Sequence, residues 1–276
     1  MIAIALTGGG NRGPLQVGAL QALFAHGIWP DFVVGTSAGA LNAVYLAAEG
    51  TPAATDRLAG LWREAKFHDI YRGNDFQIAW RFLRGEDSLY RSDKMREIID
   101  AHLSPLARTY ADLKLPCYIT TSDLHTNRLW LFPAEEDKSA PLVETAQASA
   151  TIPGLHPPVA YAGTQLVDGG VVDNVPAGIA IAKGATTIYL VNVGYGGEPM
   201  GPVSGLPRIL GRTLNTFLAQ SLFQDLEQAS ALADANLTEA DISDAELTVS
   251  GGHHEATVQS GGRHPWSRRI VALAAV

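Results

Sequence analysis

The most constraining feature of the chain lies over residues 32–48. A short strand-like run, Phe32-Val33-Val34, leads through Gly35-Thr36-Ser37-Ala38-Gly39 into an Ala-rich apolar stretch over residues 40–48 that reads as a helix. A strand passing to a helix through Gly-x-Ser-x-Gly has room only for a sharp elbow. The serine side chain then sits at the tip, and the glycines stand where neighbouring chain passes close. The new helix also points its unpaired N–H groups toward any anion that forms beside the serine. The pattern predicts an activated serine at Ser37. A plain serine in a glycine-rich turn is the alternative, and the strand and helix on either side argue against it.

The same order is present upstream. Residues 2–6 are an apolar run of the kind found in strands buried on both faces. Residues 7–13 read as a loop, Pro14 suits the first turn of a helix reaching Phe24, and Gly27 stops it. Strand, helix, strand, helix predicts an α/β fold, a three-layer α/β/α arrangement with a mostly parallel central sheet. Residues 51–110 lack clear strands and read as helical. Residues 113–122 and 128–132 form a strand pair about a turn at His125-Thr126-Asn127, and 140–150 form a helix ending in the Pro-rich stretch 152–158. Strands are expected at 165–167 and 187–193, and an amphipathic helix over 206–233. The tail from 243 is ambiguous, with 270–276 readable as a final strand or a docking tail. No internal repeat or long linker divides the 276 residues, so 1–276 reads as one domain.

Composition narrows the function. With 20 Lys and Arg against 28 Asp and Glu, the net charge of −8 argues against nucleic acid, whose phosphates are bound by basic residues. It also argues against purely electrostatic docking on anionic membranes, while leaving apolar contact with lipid open. The single cysteine, Cys117, lies in an apolar strand-like run and reads as a core thiol, consistent with a reducing cytoplasm. The N-terminus has no basic region before its apolar run, and the longest uncharged stretch, 32–48, is broken by Gly, Thr, Ser and Asn. A cytoplasmic protein, at most peripheral to a membrane, is the expectation.

Three segments converge on one chemistry. Gly8, Gly9 and Gly10, after a strand and before a helix, leave backbone N–H groups uncovered for an oxyanion. Arg12 can anchor that loop or bind an anionic group of a substrate. Ser37 needs a base to take its proton. Asp168, in Asp168-Gly169-Gly170 just past a short strand, can present a carboxylate to a cleft, although Asp-Gly is also a common turn. Asn174 and Pro176 follow it closely. None of the eight histidines falls in a metal-binding pattern, so neither a metal nor a cofactor is expected. His253, His254 or His264 could supply a third member in the order Ser, Asp, His.

These motifs resemble those of the patatin-like phospholipase family. Residues 8–13 match its Gly-Gly-Gly-x-Arg-Gly element, 35–39 its Gly-x-Ser-x-Gly and 168–170 its Asp-Gly-Gly/Ala. Residues 148–158 are similar to its small-residue, Pro-rich block, with His156 where Phe is more usual. The resemblance implies a Ser–Asp dyad, with Ser37 as nucleophile, Asp168 as general base and Gly8, Gly9 and Gly10 as the oxyanion hole. It also implies a lipid substrate whose acyl chain lies in an apolar groove. A carboxylate near pKa ~4 is a weak base toward serine. Close hydrogen bonding and a dry site are expected to raise its basicity.

Three rivals remain. Gly8-x-Gly10-x-x-Gly13 also satisfies a dinucleotide-binding fingerprint, but no acidic residue ends the second strand. A general esterase or thioesterase with a Ser–Asp–His triad is another, and a catalytically idle interaction protein the third. Residues 75–84 mix Phe76, Trp80 and Phe82 with Arg81 and Arg84, and read as an amphipathic helix packed on the core or as a lid at a lipid interface.

Overall fold

The computed structural model describes residues 1–64, 80–81, 84–134, 137–194, 201–205, 209, 211–213, 216, 246–250, 255–259 and 269–274. Its first half contains β1 (Ile2–Leu6), α1 (Gly13–Ala25), β2 (Phe32–Thr36), α2 (Ala38–Glu49), α3 (Ala54–Glu64), α4 (Asp93–Leu103), β3 (Cys117–Asp123) and β4 (Arg128–Phe132). The second half contains α5 (Leu142–Ser149), β5 (Val159–Tyr161), β6 (Thr164–Asp168), α6 (Ala177–Ala182), β7 (Thr187–Asn192), β8 (Glu246–Ser250), β9 (Glu255–Gln259) and β10 (Arg269–Ala274).

All of these strands belong to one sheet. Five run parallel, in the order β3, β2, β1, β7, β10. Beyond β10 the sheet continues antiparallel through β9 and β8. At the other end β4 and β6 pair antiparallel with β3, and β5 with β6. Alternation along the central strands divides the core between two faces. Ile4, Leu6 and Val33 pack with Leu20 of α1, Leu46 of α2 and Leu142 of α5. Ala3, Ala5 and Val34 face the other way, toward Ile179 and Ala180 of α6. Helices thus cover both faces, the α/β architecture expected from the element order.

α2 is apolar along nearly its whole length and buried along all of it but Leu41, as a helix in the middle of a core must be. It ends at Gly50 in the left-handed conformation (φ 65°), whose N–H closes on the Leu46 carbonyl at 2.8 Å. Three elements depart from expectation. β3 begins at Cys117 rather than 113, because the N–H groups of Lys114 and Leu115 both turn to the Ala47 carbonyl at the end of α2. β5 and α6 were not anticipated. In the tail, β10 lies parallel beside β7, which matches the strand reading of that segment. Most of the helix expected over 206–233 lies outside the described residues.

Candidate active site

β2 delivers Ser37 at its end in a conformation few side-chain-bearing residues adopt, φ 56° and ψ −123°. Such backbone stores about 1–3 kcal/mol and persists only when its surroundings hold it. Here the Ser37 N–H donates to Ser149 Oγ at 3.0 Å, and its carbonyl accepts from Ala40 and Leu41 at 2.9 and 3.2 Å. The flanking glycines are sterically required. A Cβ on Gly35 would stand 2.4 Å from the Gly39 carbonyl oxygen, and one on Gly39 would stand 2.3 Å from that of Leu6.

The register of β3 brings the second residue to the first. Thr120 pairs with both Thr36 and Leu131, and Thr121 with both Trp130 and Asp168. β4 therefore occupies one edge of β3, while β2 and β6 share the other and meet end to end. Ser37 follows the last residue of β2 and Asp168 is the last of β6, so their side chains converge. Ser37 Oγ donates to Asp168 Oδ2 at 2.6 Å, and the Gly170 N–H donates to Oδ1 at 2.8 Å. Both side chains are buried, Ser37 at 5% and Asp168 at 4% exposure. Burial pushes the Asp168 pKa up to about 6, against the opposing pull of the Ser37 and Gly170 hydrogen bonds. The dry site raises the basicity; the hydrogen bonding, contrary to expectation, lowers it.

The glycine loop lies against this pair. A Cβ on Gly8 would come within 3.2 Å of Ser37 Cβ and 2.3 Å of Asn174 Oδ1. The Gly8 N–H donates to the Asn174 carbonyl at 3.4 Å, so it is the least available of the three glycine donors. Among the described residues the N–H groups of Gly9, Gly10 and Ala38 donate no hydrogen bond. Arg12 acts on the loop: its Nη1 donates to the carbonyls of Gly194 and Val193 at 3.1 and 3.4 Å, just past the end of β7.

An apolar cavity of about 120 Å³ opens between α2, α3 and α4, walled by residues that include Leu41, Val44, Tyr45, Trp62, Met95 and Ile99. Leu41, Val44 and Tyr45 follow Ser37 by four, seven and eight residues, which places them on its side of α2.

Ser37 and Asp168 have no histidine partner among the described residues. His253, His254 and His264 lie outside those residues. His156 is buried, and that burial lowers its pKa to about 4. Cys117 is buried too, which pushes its thiol far up, consistent with a core thiol. Where a dinucleotide site would place an acidic residue, β2 ends in Thr36, whose Oγ1 is bonded to Thr120 Oγ1 at 2.7 Å and to the Asp173 carbonyl at 3.2 Å. In the 75–84 segment, 75–79 and 82–83 lie outside the described residues; Trp80 is exposed, with the Arg84 guanidinium 5.6 Å from its ring centroid. Sequence reasoning missed the roles of Ser149, Gln16 and Asn42. The signal for the last two was an amide side chain inside an otherwise apolar helical run.

Fold and site together describe an α/β protein with an elbow serine and a buried carboxylate where the ends of two strands of its sheet meet. Residues 4–181 match the model of the patatin-like phospholipase family, and the chain belongs to that family. It is 31% identical over 202 residues to lysophospholipase NTE1 of Mycosarcoma maydis, covering 70% of this chain and 10% of that protein. It is 29% identical over 195 residues to patatin-like phospholipase domain-containing protein 6 of Homo sapiens, covering 70% of this chain and 13% of that one. The chain therefore corresponds to little more than a tenth of the length of these relatives. Among solved structures, human GIVD cytosolic phospholipase A2 aligns over 99% of this chain and 48% of its own (TM-score 0.45, 16% identity). VipD from Legionella pneumophila aligns over 90% and 57% (TM-score 0.41, 15% identity).

Proposed function

We propose that the protein hydrolyses carboxylic ester bonds of phospholipids or lysophospholipids through a Ser37–Asp168 dyad. The observation that carries this reading is the 2.6 Å hydrogen bond from Ser37 Oγ to a buried carboxylate whose pKa is lifted to about 6. A base with its pKa near neutrality is ionised at pH 7 yet strong enough to take a proton in the transition state.

Ser37 Oγ attacks the ester carbonyl carbon as its proton passes to Asp168 Oδ2. The tetrahedral oxyanion is met by the unengaged N–H groups of Gly9, Gly10 and Ala38, with the N-terminus of α2 behind them. Collapse breaks the bond to the leaving oxygen, which takes the proton back from Asp168 and departs as the alcohol. Water then gives its proton to Asp168 and attacks the acyl-serine, releasing the fatty acid and restoring Ser37. The apolar cavity along α2 suits the acyl chain. Among the described residues no helix is long and apolar enough to cross a membrane. Leu124 and Val172, exposed just past the ends of β3 and β6, suit contact with a lipid surface.

A fluorophosphonate probe followed by mass spectrometry tests the reading. Labelling at Ser37 that is lost in Ser37→Ala and slowed in Asp168→Asn, with fatty acid released from phospholipid or lysophospholipid vesicles, is the expected result. A folded protein that neither labels nor releases fatty acid, with or without detergent, would refute it.

A further inference from the structure

We propose that Gln16 and Asn42 are positioning residues for the glycine loop, clamping the carbonyls at its two ends, with Trp62 fixing the orientation of the clamp. The proposal rests on the part assigned above to that loop in ester hydrolysis. Gln16 and Asn42 are fully buried, on α1 and α2. Gln16 Nε2 donates to the Thr7 carbonyl at 2.7 Å, immediately before the loop. Asn42 Nδ2 donates to the Gly13 carbonyl at 3.0 Å, immediately after it, and to Gln16 Oε1 at 2.9 Å. One linked pair of amides therefore brackets residues 8–12.

The direction of the Asn42 amide follows from its third partner. Trp62 Nε1–H donates to Asn42 Oδ1 at 2.8 Å, and an indole can only donate. With the oxygen held by Trp62, both Asn42 N–H groups are turned to Gly13 and Gln16. A flipped amide would set its oxygen against the Gly13 carbonyl. Ser37 begins the helix that carries Asn42, so the clamp ties the loop to the serine through a rigid element.

An apolar side chain of similar shape at either position would leave the Thr7 or Gly13 carbonyl without this donor, which is unfavourable in a buried site. A fully satisfied polar network selects one arrangement over its neighbours. The loop needs that selection, since consecutive glycines have the widest conformational choice of any residues. Asn42 and Trp62 also line the apolar cavity, which supplies a competing explanation for their presence: contact with the acyl chain.

The test uses the full chain with 4-nitrophenyl acetate, whose acyl group carries only a methyl, and 4-nitrophenyl decanoate. Wild-type turnover of both, with probe labelling at Ser37, checks the underlying hydrolase reading; if both are missing, that reading fails before the clamp is examined. In an active wild-type background, Gln16→Met and Trp62→Phe are each expected to lower kcat by about 10- to 10²-fold on both esters, the effect of a reacting group displaced by about 1 Å. KM should stay within about threefold for Gln16→Met on both esters and for Trp62→Phe on the acetate, because Gln16 lies outside the cavity lining and the acetate carries no chain for Trp62 to meet. The pH profile should keep its shape, since Asp168 is not contacted. The double variant should lose no more than the worse single one, because the residues act as one unit. If Gln16→Met does not fold, Trp62→Phe, which keeps an aromatic ring against Gly13, decides alone. Unchanged kcat in a folded variant, a loss confined to KM for decanoate, or multiplicative losses in the double variant would each overturn the proposal.

Discussion

Replacing Asp168 by Asn removes a buried ionisable group while keeping an oxygen for the Gly170 N–H and an amide that can donate to Ser37 Oγ. Burial raises the carboxyl pKa from 3.8 to about 6. At ~1.36 kcal/mol per unit, ionising it inside the fold at pH 7.5 destabilises the native state by about 3 kcal/mol relative to the unfolded chain. The sign follows from the proton count. Between pH 4 and 6 the folded state holds a proton that the unfolded chain has lost, so stability falls as pH rises through that window and stays low above it. Asn escapes this penalty, which is already net of the two hydrogen bonds to the carboxylate. A gain of about 3 kcal/mol is expected at pH 7.5, or roughly 5 °C in Tm for a chain of this length. At pH 5 the gap should shrink by about half. Hydrolysis should meanwhile fall by about 10³-fold, the loss of a general base. Paired thermal melts at the two pH values decide it. A variant that melts below wild type at pH 7.5, or a gap that does not change with pH, would refute the assignment of burial as the dominant influence on Asp168.

The same pKa sets the acid limb of activity: kcat/KM should fall tenfold per pH unit below about pH 6 and level off above it, read from a pH–rate profile on a soluble ester. Ser149→Ala leaves the Ser37 N–H without its acceptor in a strained elbow. It should reduce stability by about 1–3 kcal/mol in urea unfolding, and slow probe labelling along with it. Gly39→Ala drives a Cβ to 2.3 Å from the Leu6 carbonyl oxygen and should abolish soluble folded protein, scored by yield and circular dichroism.

Local patterns made the sheet legible from residues 2–48, where each strand and helix is apolar and punctuated by Gly or Pro. β5 was not legible because it is three residues long, follows Pro157-Pro158 and shows no period. α6, six residues of Ala, Gly and Ile, has a composition that suits strand or helix equally, and only packing on the sheet decides. Ser37 and Asp168 could be picked out because each sits in a local motif. Their 2.6 Å approach could not be read from either motif, since it depends on the register of β3. Ser149 and the amides of Gln16 and Asn42 act across elements; an amide in an apolar helical run marks the last two, but the partners, which are backbone atoms, an indole and each other, are not readable from the sequence.

If Ser37 and Asp168 form the proposed dyad, the end-to-end meeting of β2 and β6 on a single edge of β3 also sets when the serine gains its base. The two partners are 131 residues apart, and neither β2 with β3 nor β3 with β6 contains both. A growing chain carries Ser37 for more than a hundred residues of synthesis with no base beside it. Long-range pairings of this kind form late in folding. In a refolding mixture, probe labelling therefore counts molecules that have closed both joints on β3, and rises only after secondary structure has already returned. On the proposed mechanism, half-made copies of the protein carry no assembled dyad.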